Sequence, residues 1–231
     1  MIQKHLLLID ENPQKDTLKT IKDTLRKDGI DLVYEEINPK NYTKRASDGN
    51  VGFDTDKFKS KIESIDYFRY ADLILTDYNL IKDVINGYEI INIIRELNFD
   101  RNKKMILYSA KIDTVISEIL KTDSDFELQK FNLINLISNN IEFIKRDGYL
   151  EEVIKAIKAQ PDFDFEQELI KWFYKRDKDV FNYLFPKYSG RSFGEIAKEI
   201  EANSQISIEF KKDLIEQIIA YLVTINGLEN D

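Results

Sequence analysis

Five short apolar runs, each followed by a segment with helical periodicity, constrain this chain more than any other feature. The runs are "HLLLID" (5–10), "IDLVYEEI" (30–37), "LILT" within "ADLILTDYNL" (71–80), "KMILYSA" (104–110) and "IEFIK" (141–145). After the first, Leu18, Ile21 and Leu25 recur at helical spacing, and Gly29 sits where a helix would stop. Helical patterns continue in "DKFKSKIESIDYF", with Phe58, Ile62 and Ile65 on one face, and in "GYEIINIIREL", a stretch over about 112–139, and "YLEEVIKAIK". Strands alternating with helices imply right-handed crossovers and a parallel sheet, and near-continuous apolar strands imply helices on both of its faces. The expected fold is α/β, a five-stranded doubly wound parallel sheet of flavodoxin-like order 2-1-3-4-5. Residues 38–54, polar and turn-rich, read as an inserted surface excursion, and a second insertion falls near 124–140.

Composition narrows the chemistry. The chain has 231 residues and 42% hydrophobic content, enough for a large domain with a small companion. No cysteine is present, which removes disulfides, thiolate nucleophiles and cysteine–zinc sites. His5 is the single histidine, so catalytic triads built on histidine and multi-histidine metal sites are excluded, and His5 itself reads as an ordinary strand-start residue. No apolar run approaches the ~20 residues that span a bilayer, and no secretory signal pattern opens the chain. A cytoplasmic location, with no membrane partner, is the expectation. The net charge of −8 weighs against a nucleic-acid surface.

The polar residues fall in a telling place. Asp10 and Glu11 close the first strand, Asp77 the third, Ser109 the fourth and Lys145 the fifth. Asp77 alone can be turn punctuation, and Asp10 and Glu11 alone can be helix-capping acids. Together they lie at the carboxyl edge of one sheet, where open α/β folds bind ligands beside the switch in strand order. If the strand order is 2-1-3-4-5, strands one and three are neighbours at that switch, and Asp10, Glu11 and Asp77 would then converge. Three carboxylates so placed repel one another, and a hard cation with oxygen ligands, Mg²⁺, relieves the repulsion. A carboxylate nucleophile, a metal, a lysine and a hydroxyl together suit phosphoryl transfer to Asp77.

Residues 4 to about 159 resemble the receiver domain of bacterial two-component response regulators. The resemblance rests on "LLIDENP" (7–13), "LILTDYNL" (73–80), "NGYEIINIIREL" (86–97), "ILYSAK" (106–111) and "FIKRDGYLEEVIKAI" (143–157). It implies that Asp77 accepts a phosphoryl group from a partner histidine kinase. It also implies that Asp10, Glu11, Asp77 and the backbone carbonyl of Asn79 hold Mg²⁺, and that Ser109 and Lys145 bind the phosphate. Such a protein is a phosphoacceptor, with self-catalysed transfer and autodephosphorylation as its only enzymatic steps. Lys111, close to Ser109, is a minor alternative to Lys145.

The sequence departs from the family pattern at several points. Gly87 lies ten residues after Asp77, further than usual. Arg146 stands where the family has proline, and Glu142 where a switch aromatic is frequent, leaving Phe143 one residue out of register as the candidate switch aromatic. These departures keep open a degenerate receiver that acts as a non-phosphorylated adaptor.

The domain boundary is expected at 160/161, with Pro161 breaking the preceding helix and residues 161–231 forming a small all-α output or interaction domain. "SFGE" (192–195) has capping-box spacing. "IEFKKDLIEQIIAYLVTI" reads as an amphipathic helix with Leu214, Ile215, Ile218, Ile219, Leu222 and Val223 on one side. "GEIAKEIEANSQISIEFKKDL" loosely resembles a helix-turn-helix, but its turn shows Glu201, Ala202 and Asn203 in place of glycine. From 162 onward there are 9 Lys+Arg against 14 Asp+Glu, a poor supply of phosphate-neutralising charge. Protein–protein interaction is therefore the leading expectation for this unit, a homodimer is one form of it, and DNA-binding transcriptional regulation is the alternative.

Overall fold

A computed structural model describes residues 1–45, 51–97, 103–120, 126–138, 140–160, 164–182 and 185–225. The chain divides into two compact units, Met1–Asp162 and Phe163–Asp231. In the first unit the described strands are β1 (Ile2–Ile9), β2 (Ile30–Ile37), β3 (Thr43–Arg45), β4 (Val51–Phe53), β5 (Leu73–Asp77), β6 (Met105–Ser109) and β7 (Ile141–Lys145). Its helices are α1 (Lys15–Lys27), α2 (Thr55–Glu63), α3 (Gly87–Glu96), α4 (Ile112–Leu120), α5 (Phe126–Ser138) and α6 (Tyr149–Lys158).

Five strands form one sheet of order β2-β1-β5-β6-β7, and every pairing in it is parallel. In order of the five sheet strands along the chain this is the expected 2-1-3-4-5 arrangement. Alternation along each strand divides the core into two layers. Leu7, Ile9, Ile74, Met105 and Leu107 face one layer, with Phe58 and Ile62 of α2 and Ile90, Ile91 and Ile94 of α3. Leu6, Leu8, Leu73, Leu75, Ile106, Tyr108 and Ile144 face the other, with Leu18, Ile21 and Leu25 of α1 and Val153, Ala156 and Ile157 of α6. Both faces are covered, which is why the central strands are apolar at consecutive positions.

Local signals set the helix ends. Gly29 adopts φ 79° directly after α1, a left-handed conformation that other residues enter at a cost. Asn86 and Glu89 form a reciprocal capping box at the start of α3. His5, read as an ordinary strand-start residue, is buried. Its N–H donates to Asp72 Oδ2 at 2.7 Å, and its ring packs against Tyr67 and Tyr70.

Among the described residues of the 38–54 excursion, Pro39–Tyr42 form a 3₁₀ turn, and β3 pairs antiparallel with β4. Tyr42 anchors this excursion by packing edge-on to Phe58 in the core, a long-range contact invisible in the polar local sequence. The helical stretch after β6 is described as two helices, α4 and α5, and residues 121–125 between them lie outside the described residues. In α5, Leu136 is buried while Ile134 and Ile137 are exposed.

In the second unit the described helices are α7 (Phe165–Tyr174), α8 (Phe193–Glu201) and α9 (Gln205–Ile225), with a 3₁₀ turn at Pro186–Tyr188. Pro161 lies outside the described residues. Ile170, Phe173, Tyr188, Ile196, Ala197, Ile200 and Phe210 form a separate core. The expected capping box at Ser192 and Glu195 is formed. Only the first turns of α9 are buried, through Ser207 and Phe210. The apolar side expected over 214–223 is largely open: Leu214 packs against the core, but Ile215, Ile218, Ile219 and Leu222 are exposed. Among the described residues, no helix is long and apolar enough to cross a membrane.

Candidate functional site

Parallel pairing delivers the strand ends to one edge. Ile9 of β1 lies opposite Thr76 of β5, so Asp10 stands beside Asp77 one residue further on. In the same way Asp77 pairs with Tyr108, and Ser109 with Lys145. Asp10 and Asp77 are each 1% exposed, and Glu11 is half-buried. Oxygens of all three carboxylates lie within 4.8 Å of one another.

Burial at this density shifts the acids. Loss of water pushes Asp77 up to about 6, assisted by the nearby Asp10 and Glu11, against the opposing pull of the Asn79 N–H and Arg146. Burial, followed by the charge of Asp10, likewise raises Glu11. Glu11 Oε2 is buried with no hydrogen-bond partner among the described residues. An orphaned carboxylate oxygen beside two buried carboxylates is a donor set that suits a hard divalent cation. Asp10, Glu11 and Asp77 could therefore hold a hard divalent cation, and the chemistry of their oxygens fits one.

The other oxygens are committed. Asp10 Oδ1 accepts from the Asn12 N–H at 2.7 Å, and Oδ2 from Gln14 Nε2 at 2.9 Å and from the Tyr108 hydroxyl. Tyr108 in turn stacks on Tyr149, with centroids 4.9 Å apart and planes 10° from parallel. The Tyr149 hydroxyl donates to Gln14 Oε1 at 3.1 Å, which closes a ring of contacts around Asp10. Asp77 Oδ1 accepts from the Asn79 N–H at 3.0 Å. Asn79 Nδ2 also reaches Ser109 Oγ at 3.4 Å, which ties the buried serine hydroxyl to the loop after Asp77.

The cations depart from the sequence expectation. Lys145, the last residue of β7, is exposed, and among the described residues its ammonium makes no hydrogen bond or ion pair. Its neighbour Arg146 enters the site instead, donating to Asp77 Oδ2 at 3.2 Å and lying 3.9 Å from Asp10 Oδ2. Lys111 contributes its backbone, an N–H that donates to Ser109 Oγ at 3.2 Å. Phe143 is partly buried against the core layer of α2 and α3.

The long connection between Asp77 and Gly87 encloses a cleft of about 600 Å³, lined among others by Tyr78, Asn79, Lys82, Glu89 and Glu118. Two of its lining residues are joined, the Tyr78 hydroxyl donating to Glu118 at 2.9 Å. Sequence reading missed Arg146, Tyr108, Tyr149 and Gln14. Only Arg146 carried a signal, as a departure at the proline position of a familiar motif.

No family model matches this chain, and no curated protein matches it. Among solved structures it is similar to RcsB from Salmonella enterica serovar Typhimurium, bound to promoter rprA in the presence of the phosphomimetic BeF3⁻. That likeness has 17% identity, covers 99% of this chain and 93% of the other, and has a TM-score of 0.38. A second is a fusion carrying yeast Spc42 trimeric coiled-coil amino acids 181–211, with 12% identity, coverage of 96% and 97%, and a TM-score of 0.37.

Proposed function

We propose that this protein is a response-regulator-like signalling protein, phosphorylated on Asp77 by a partner histidine kinase and acting through protein–protein contacts of its helical C-terminal unit. The observation that carries the reading is the convergence of Asp10, Glu11 and Asp77 at the carboxyl edge of β1 and β5. In the transfer, an Asp77 carboxylate oxygen attacks the donor phosphorus. An O–P bond forms as the P–N bond of the donor phosphohistidine breaks, and its electron pair leaves on the imidazole nitrogen. Asp10, Glu11, Asp77 and the Asn79 carbonyl would hold Mg²⁺. When bound, Mg²⁺ supplies positive charge that neutralises the carboxylates and the phosphoryl oxygens. Ser109 offers a hydroxyl at the same rim, held toward the site by Asn79.

Acetyl phosphate with Mg²⁺ tests the chemistry. Intact mass is expected to show one added phosphoryl group on the wild type and none on Asp77→Asn. An unlabelled wild type, under conditions that label a known receiver, would leave the adaptor reading in its place.

A DNA-binding output draws support from one observation. Asn203, between α8 and α9, adopts φ 49°, so asparagine serves in the left-handed turn position usually filled by glycine. The acidic charge of the unit still opposes it. Selection of bound genomic fragments with the full chain is expected to return no shared motif, and recovery of one would reverse this ranking.

A further inference from the structure

Arg146 is not a bystander of the acid cluster. Its backbone N–H donates to the Ser109 carbonyl at 2.9 Å, which fixes it one step beyond the paired end of β7. From there its guanidinium spans Asp77 Oδ2 at 3.2 Å and Asp10 Oδ2 at 3.9 Å, and lies over the Tyr108 ring at 5.9 Å from the centroid. The Tyr108 ring is itself immobilised by its hydrogen bond to Asp10 and its stack on Tyr149. The side chain nevertheless remains 39% exposed, so solvent, from which a phosphodonor arrives, reaches it. The adjacent Lys145 has none of these contacts.

We propose that Arg146, and not Lys145, is the cation that holds the phosphoryl group on Asp77, and that between phosphorylation events it is parked across Asp77 and Asp10 as their counter-charge. This rests on the reading of Asp77 as phosphoacceptor. A planar guanidinium presents a rigid fork of donors that matches phosphate oxygens two at a time, which a point-charged ammonium does not. A phosphoryl group joined to Asp77 lies beside the oxygen that Arg146 already contacts. The guanidinium therefore exchanges a carboxylate oxygen for phosphoryl oxygens without leaving its seat on Tyr108.

The test is a beryllofluoride titration in Mg²⁺, read by fluorine NMR of the bound anion, on wild type, Lys145→Ala, Arg146→Ala and Arg146→Lys. Circular dichroism of each variant checks the fold. Loss of a charge-assisted, two-point contact is expected to weaken binding about tenfold or more in Arg146→Ala, with Arg146→Lys intermediate. Lys145→Ala is expected within about twofold of wild type, as for an exposed side chain without partners. Acetyl phosphate labelling should rank the variants in the same order. A loss in Lys145→Ala equal to or greater than that in Arg146→Ala overturns the assignment. So does unchanged binding in Arg146→Ala, or in Arg146→Lys if the alanine variant does not fold. Absence of binding and labelling in the wild type is a different failure, since it removes the phosphoacceptor itself.

Discussion

The hydroxyl of Tyr108 on β6 donates a hydrogen bond to the carboxylate of Asp10, two strands away at the end of β1. The intervening strand, β5, carries Asp77, so the pair brackets the candidate phosphoacceptor from both sides. Tyr108 is fully buried and stacks on Tyr149, and burial beside Asp10 raises its phenol far above the ordinary value, which keeps it a neutral donor.

Removing that donor while keeping the ring isolates its contribution. Tyr108→Phe leaves a buried carboxylate short of one partner, at a cost of about 1–3 kcal/mol. Urea unfolding in the absence of metal should show this loss with an unchanged slope, because the stack on Tyr149 survives. A midpoint equal to wild type would mean that Gln14 and Asn12 alone satisfy Asp10.

A second prediction concerns pH. Asp77 has a folded pKa of about 6 against an ordinary 3.8, so the native state binds the extra proton between those values. Its contribution to stability is therefore full below about pH 4 and falls as pH rises through about 6, a loss on the order of 3 kcal/mol. Without metal, Asp77→Asn should be more stable than wild type at about pH 7.5 and gain little at about pH 4. Mg²⁺ should stabilise the wild type at the higher pH and leave the variant nearly unaffected. Equal pH slopes for the two proteins would contradict the burial-driven shift.

The third prediction concerns Gly87. A Cβ there would lie 2.2 Å from the Asp77 carbonyl oxygen and 2.7 Å from Leu107 Cδ1. The carbonyl belongs to the backbone of β5 and cannot retreat without distorting the site. Gly87→Ala should cost about 3 kcal/mol or more and weaken Mg²⁺ binding together with stability. Thermal unfolding and metal titration of the same sample check both halves, and a variant with native midpoint would show that the loop after Asp77 yields.

How much of this was legible beforehand follows from which interactions are local. Alternation of apolar runs with helical spacing determined the strands and placed Asp10, Glu11 and Asp77 at one edge, because parallel strands carry all their carboxyl ends to the same side; that β1 and β5 are neighbours, which brings the three acids together, is decided by the fold. The capping box at Ser192 was equally readable, since its partners stand three residues apart, while the one at Asn86, with the same spacing, was seen only in the structure. The tertiary structure alone decided which cation enters the site. Lys145 and Arg146 are adjacent and equally charged, and the turn after β7, anchored by the Arg146 N–H on Ser109, aims one side chain at Asp77 and leaves the other in solvent. It also decided the support of Asp10, because Tyr108, Tyr149 and Gln14 meet only once β1, β6, α1 and α6 have packed together. Likewise, α9 reads as an amphipathic helix, yet the second unit's core reaches only Phe210 and Leu214 and leaves Ile215, Ile218 and Ile219 exposed. Periodicity states which face of a helix is apolar, and only packing supplies a surface to cover it.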